Sequence, residues 1–206
     1  MNYSFITIEG NIGAGKTTLA TAVSKLLDAH LILEEFAENP FLPKFYEQPD
    51  KHAFALEMSF MAARFQQLSA IQTGQNLFNP YTISDYVFFK SLIFASVTLS
   101  EDEATLYKSL FNIIQSNLPQ PEILIYLYSP SDVLLENIKK RGRPYEQNIR
   151  ADYLEKINQT YFDFFKQIND YPILIVDTTK HAFLSPEFIL EILEKSYPKG
   201  LNFIET

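Results

Sequence analysis

Eight consecutive residues, Gly10-Asn11-Ile12-Gly13-Ala14-Gly15-Lys16-Thr17, read G-x-x-x-x-G-K-[ST]. The pattern follows a β-rich run (YSFITIE) and precedes apolar residues at helical spacing, which is the context it requires. Glycines let successive backbone N–H groups converge on phosphate oxygens, and the following helix adds its partial positive charge. Gly10 through Thr18 is therefore the predicted triphosphate-binding loop. Lys16 would reach the β- and γ-phosphates, and the Thr17 hydroxyl would ligate Mg²⁺. A bare glycine turn with a chance lysine would not need both the flanking strand and the helix.

A second cluster, Lys139-Lys140-Arg141-Gly142-Arg143, puts four positive charges on a chain whose net charge is −8. Cations at a helix C-terminus complement the macrodipole, which accounts for the lysines. Arg141 and Arg143 around a glycine fit a lid, because guanidinium groups clamp phosphoryl oxygens in bidentate fashion. The expected lid spans about residues 139–148. Carboxylates close predicted strands at Glu34/Glu35, Asp85 and Asp177. Adjacent strand residues point to opposite faces, so only one of Glu34 and Glu35 can face a site. Asp85 suits a metal, directly or through water. The guanine motif N-K-x-D and the switch motif D-x-x-G of a GTPase do not occur. The apolar run ending at Asp177 imitates a motor ATPase strand, but Thr178 follows where a glutamate would stand. A small-molecule kinase remains. The rivals are a nucleoside monophosphate kinase, which needs extra cations for its acceptor phosphate, and a nucleotide-binding regulatory or motor ATPase.

Several elements must position these groups. Strands are predicted over 3–9, 31–35, 81–85, 122–128 and 172–177. Helices are predicted over 16–29, 51–73 with Gly74 as its cap, 86–97, 101–117, 131–140 and about 152–169, with a last one opening at Ser185. Gly200 reads as a turn in the tail. Alternating strands and helices imply a three-layer α/β fold, with a five-stranded parallel sheet flanked by helices and ligands beyond the strands' carboxyl ends. The length of 206 residues, a hydrophobic fraction of 47% and an aromatic fraction of 15% suit a single domain over 1–206 with ample core. A net acidic chain is a poor partner for nucleic acid polymers or anionic membranes. No apolar run is long enough to span a bilayer. Zero cysteine excludes disulfides and thiolate chemistry and fits a reducing cytoplasm.

Taken together, IEGNIGAGKTT, ENPFLPKFYE, FALEMSFMAARFQQL, ISDYVFFKSLIFA, LPQPEILIYL and KKRGRPYEQ resemble the deoxynucleoside kinases of the deoxycytidine/deoxyguanosine/deoxyadenosine kinase type, and bacterial deoxyguanosine and deoxyadenosine kinases above all. The resemblance covers nearly the whole chain. It implies transfer of a phosphoryl group from ATP, with Mg²⁺, to the 5′-hydroxyl of a deoxynucleoside in nucleotide salvage, by a cytoplasmic homodimer. It implies that Glu34 orients and deprotonates the 5′-hydroxyl, and that Tyr46 and Glu146 hold the 3′-hydroxyl. Arg64 steadies the 5′ end, Arg141 and Arg143 close the lid, and Asp85 serves the metal. The chain departs from the family in three places. The family's Glu-Pro is Glu34-Glu35 here, its acid-Arg-Ser is Asp85-Tyr86-Val87, and its base-reading glutamine and acid appear as Glu57 and Lys90. The missing arginine's work would fall to Arg64, or to Lys90 if it can reach.

Phe54, Glu57, Met61 and Arg64 share one face of the long predicted helix. Guanine presents two donors, N1–H and the 2-amino group, beside the O6 acceptor. A Glu57 carboxylate next to a Lys90 ammonium matches that polarity, so deoxyguanosine is the expected substrate, with deoxyadenosine next. Alternatively, Glu57 and Lys90 simply pair with each other. Phe36, Phe45 and Phe60 are among the aromatics that could sandwich a base, although such residues also build ordinary core.

Overall fold

A computed structural model describes residues 1–35, 39–72, 79–180 and 185–204. Phe36 and the predicted cap Gly74 lie outside them. The described residues form six parallel strands: β1 (Phe5–Gly10), β2 (His30–Ile32), β3 (Thr82–Ser84), β4 (Ile123–Tyr128), β5 (Pro172–Asp177) and β6 (Gly200–Phe203), in the order β2-β3-β1-β4-β5-β6. The helices are α1 (Lys16–Leu27), α2 (Leu42–Glu47), α3 (Pro49–Gln72), α4 (Lys90–Thr98), α5 (Glu101–Gln115), α6 (Ser131–Arg141), α7 (Ala151–Phe165) and α8 (Pro186–Leu193).

Period-two alternation sorts the sheet's two faces. Ile123, Ile125 and Leu127 of β4 join Leu19 and Val23 of α1 and Ile189 and Leu193 of α8 in one core. The intervening Leu124 and Tyr126 join Ile157, Tyr161 and Phe165 of α7 and Ile93 of α4 in another. β4 and its neighbour β5 are thus apolar on both sides, as strands of a helix-covered parallel sheet are, whereas β1 and β3 bury Thr7, Glu9, Thr82 and Ser84 on one face. A third core, with Met61, Tyr107 and Phe111 fully or almost fully buried, packs α3 against α5 beyond the sheet.

Four expectations change. The sheet has six strands, not five. Gly200 is not a tail turn but opens β6, taking φ +88° and donating from its N–H to the Tyr171 carbonyl at 3.0 Å. A four-residue strand carries too little pattern to be seen in sequence. The helix expected from residue 86 begins only at Lys90, because the Val87 N–H donates to the buried Glu9 carboxylate at 3.1 Å instead of building a first turn. β2 stops at Ile32, short of residue 35. There the chain leaves the sheet, with the Leu33 carbonyl accepting from Gln67 at 3.1 Å and the Glu34 N–H donating to Asp85 at 2.7 Å.

Candidate active site

The phosphate loop runs from the end of β1, in mid-sheet, to the first turn of α1. Gly13 takes φ +85°, and a Cβ there would meet the Leu134 carbonyl oxygen at 2.8 Å, so only glycine fits. The Asn11 side chain turns away from the phosphate space. It donates to the Leu154 carbonyl at 2.8 Å and to Asn158 at 2.9 Å, and so pins the loop to α7. Lys16 donates to the Asn11 carbonyl at 2.9 Å. Burial, reinforced by the nearby Lys90 ammonium, pushes Lys16 down to about 8. Thr17 donates to Asp85 Oδ2 at 2.5 Å, while the other Asp85 oxygen accepts from the Glu34 amide. This pair of converging oxygen donors fits a hard cation such as Mg²⁺, which takes few protein ligands and completes its shell with phosphate and water. Among the described residues no cluster of three or more acidic or histidine side chains offers a fuller cage.

Two cavities meet at this loop. One is lined by Gly13 to Leu19, Asn137, Thr178 and Pro186. The other is lined by Glu34, Tyr46, Glu57, Arg64, Asp85, Lys90, Glu146 and a set of apolar side chains that includes Phe45, Phe60 and Phe94. Lys16, Thr17, Arg141 and Arg143 line both. The first has the chemistry of a triphosphate cradle, the second that of a cleft for a small ring system. Among the described residues, the four shared ones stand where the two cavities meet.

Glu34 is the acid that enters the cleft, and Glu35 is exposed on a separate surface cavity beside β2. Glu34 Oε1 accepts from Arg64 Nε at 2.9 Å and Nη2 at 2.5 Å, and Oε2 accepts from Lys90 at 2.7 Å. Burial alone would raise the Glu34 pKa, but the Lys90 and Arg64 charges outweigh it and hold the carboxyl well below the usual range. Such a carboxylate is a weak base and a firmly oriented acceptor. Arg64 also donates to Ser91 at 2.7 Å and lies over the Phe60 ring at 5.1 Å, so it has little freedom.

Lys90 corrects the reading that coupled it to Glu57. Its ammonium sits 2.7 Å from Glu34 and 3.9 Å from Glu9. The position after Asp85 holds Tyr86, fully buried, whose hydroxyl donates to Gln67 at 2.6 Å. Glu57 is bonded elsewhere. Its Oε1 accepts from Thr98 at 3.1 Å, and its buried Oε2 has no hydrogen-bond partner. Burial pushes the Glu57 pKa up to about 7, against the opposing pull of Arg64.

The lid is built around Glu146 in a 3₁₀ turn (Pro144–Glu146). Gly142, at φ +73°, ends α6 and lets Arg141 and Arg143 fold over the buried Glu146 carboxylate. Arg143 donates to it at 3.1 Å, and Arg141 donates to its second oxygen. Tyr46 stacks on Tyr145 with ring centroids 6.0 Å apart, joining α2 to the lid. Asp177 contributes to neither cavity; its side chain accepts from the Thr179 amide at 3.0 Å in a turn.

Sequence reasoning missed Glu9. Fully buried at the end of β1, it accepts from the Gly10 amide at 2.8 Å and from Val87, tying the phosphate loop to the segment before α4. An acid on a strand buried on both faces was the available signal. Thr98, the anchor of Glu57, left none, because a threonine late in a helix is unremarkable.

Comparison with known proteins gives this geometry a family. The deoxynucleoside kinase family model matches residues 6–195. The chain is 39% identical to the deoxyguanosine kinase of Bacillus subtilis over 81% of this chain and 80% of that one. It is 30% identical to the deoxyadenosine/deoxycytidine kinase of the same organism, covering 91% and 88%. Among solved structures, the deoxyadenosine kinase from M. mycoides with bound dATP superposes with a TM-score of 0.78 at 28% identity, covering 93% of this chain and 100% of that one. The chain belongs to the deoxynucleoside kinase family. It is an enzyme of the phosphotransferase class, with a small nucleoside as its acceptor.

Proposed function

We propose that the chain, as one catalytic domain, transfers the γ-phosphoryl group of ATP to the 5′-hydroxyl of a deoxypurine nucleoside in nucleotide salvage, with deoxyguanosine favoured and deoxyadenosine next. The observation that carries this reading is the meeting of the phosphate cavity and the ring-sized cleft at Lys16, Thr17, Arg141 and Arg143, with the Glu34 carboxylate on the cleft side. In this reading the backbone from Gly10 to Thr18 cradles the donor phosphates and Lys16 contacts the transferring group. Thr17 and Asp85 would hold Mg²⁺, which would neutralise phosphate charge. Glu34 accepts a hydrogen bond from the 5′-hydroxyl and aligns it. Its low basicity suits a loose phosphoryl-transfer transition state, in which the hydroxyl proton is surrendered late. Arg64 and Lys90 fix Glu34, and catalysis rests on positioning and charge stabilisation.

On donor binding, Arg141 and Arg143 exchange Glu146 for phosphoryl oxygens, which frees Glu146 to join Tyr46 on the sugar 3′-hydroxyl. Glu57 faces the nucleobase, and its unpartnered oxygen supports a guanine edge rich in donors. The enzyme would work as a homodimer in the cytoplasm, following the resemblance. The test is incubation with ATP, Mg²⁺ and deoxyguanosine, with the product's phosphorus located by its coupling to the C5′ protons. A 3′-phosphate, or ATP hydrolysis indifferent to added nucleoside, would sink the proposal.

A further inference from the structure

Glu57 is 2% exposed, lies on α3 in the wall of the nucleoside-sized cleft, and has one oxygen engaged and one without a partner. A buried, unpaired acceptor costs free energy unless a ligand or a proton meets it. The Thr98 hydroxyl lies 3.1 Å from Oε1 and 2.9 Å from the Phe94 carbonyl and has one proton to give. Turned to Oε1, that proton keeps Oε1 an acceptor, so a proton taken up by the carboxyl resides on Oε2. The group then has two hydrogen-bonding faces. Ionised, both oxygens accept, which matches the adjacent N1–H and 2-amino donors of guanine. Protonated, Oε2 donates while Oε1 still accepts through its second lone pair. That matches a ring-nitrogen acceptor beside an exocyclic amino donor, the edge shared by adenine and cytosine.

We propose that Glu57 is a proton-switched reader of the nucleobase, selecting deoxyguanosine when ionised and deoxyadenosine or deoxycytidine when Oε2 carries a proton. This rests on the proposed reading that Glu57 faces the base. The titratable and charged groups around it are Arg64 on its own helix, Lys90 on α4, Tyr107 on α5, Glu34 after β2, Tyr46 on α2 and Tyr153 on α7. Tyr46, Tyr107 and Tyr153 are all raised by burial. Glu34 is held low, and Arg64 and Lys90 are held high by their ion pairs against the effect of burial. None of these changes charge near neutrality, whereas Glu57, raised by burial to about 7, does.

The test is a competition assay in which deoxyguanosine and deoxyadenosine share one reaction and the ratio of the two monophosphates is followed from about pH 6 to about pH 8.5. The ratio cancels groups that serve both substrates alike, Lys16 included. It should rise with pH by up to about tenfold per unit. In Glu57→Gln it should be independent of pH and lie toward deoxyadenosine. In Thr98→Val, which loses the hydrogen bond that favours the carboxylate, the wild-type curve should move to higher pH. A wild-type ratio flat with pH, while Glu57→Gln still alters base preference, overturns the switch and leaves the base reading intact. Unaltered preference in Glu57→Gln overturns both.

Discussion

Replacing Lys90 with methionine removes a buried cation, 4% exposed, from between two carboxylates. Two unit charges about 4 Å apart interact by about 4 kcal/mol at an effective dielectric of about 20. Breaking one side of a buried pair costs about 3–5 kcal/mol. Glu34 keeps its two bonds from Arg64, so the lower end applies, and Lys90→Met should cost about 3 kcal/mol. For a chain of this size that lowers Tm by about 6–12 °C. The decisive assay is a pair of double-mutant cycles read by urea unfolding. Lys90→Met combined with Glu34→Gln should show a coupling of about 2 kcal/mol, because the second change removes the charge the first left unpaired. Lys90→Met combined with Glu57→Gln should be additive within about 0.5 kcal/mol. The opposite pattern would refute the assignment of Lys90 to Glu34 and restore the Glu57–Lys90 pair that sequence alone suggested.

Three further outcomes follow from the same geometry. Glu34→Gln should lower kcat by about 10²–10⁴-fold while the dissociation constant for triphosphate, measured by calorimetry, changes little; full activity would move the role to another residue. Asp85→Asn should raise the Mg²⁺ concentration needed for half-maximal rate by about 10–100-fold without altering metal-free triphosphate binding; an unchanged magnesium titration would remove Asp85 from the metal site. Glu57 ionises at about 7 in the fold against 4.5 for an ordinary glutamate, so its protonated form is the one the fold favours. The resulting stability is present below the ordinary value and is lost as pH rises through about 7. Glu57→Gln should therefore gain up to about 3 kcal/mol relative to the parent between about pH 5 and about pH 8 in denaturant titrations. An equal difference at both pH values would mean that Glu57 is hydrated.

What the sequence made legible was whatever depends on local pattern. The phosphate loop declares itself because its glycines, lysine and threonine are consecutive and the strand and helix flank them. The lid is legible for the same reason, as Arg141, Gly142 and Arg143 adjoin. The sixth strand was lost because four residues give no measurable period and its only partner is β5, nearly thirty residues earlier. The partners of Lys90 were lost because they are tertiary. Glu9, Glu34 and Lys90 come from three different segments, and their distances depend on where β2 ends and where α4 begins. Both boundaries shift from their expected positions, β2 because Gln67 and Asp85 capture its backbone, α4 because Glu9 captures Val87. The choice between Glu34 and Glu35 was lost for the same reason: β2 stops at Ile32, so strand alternation does not reach them, and it is the tertiary bonds from Arg64 and Lys90 that single out Glu34.

The central claim is that this cleft takes a deoxypurine nucleoside and phosphorylates it. The most direct measurement is kcat/KM with ATP and Mg²⁺ across the four deoxynucleosides and their 5′-monophosphates at about pH 8, where Glu57 is mostly ionised. The proposed function predicts deoxyguanosine first, deoxyadenosine next and the monophosphates inert. A monophosphate turned over faster than every nucleoside, or deoxycytidine preferred to deoxyguanosine at that pH, would contradict it.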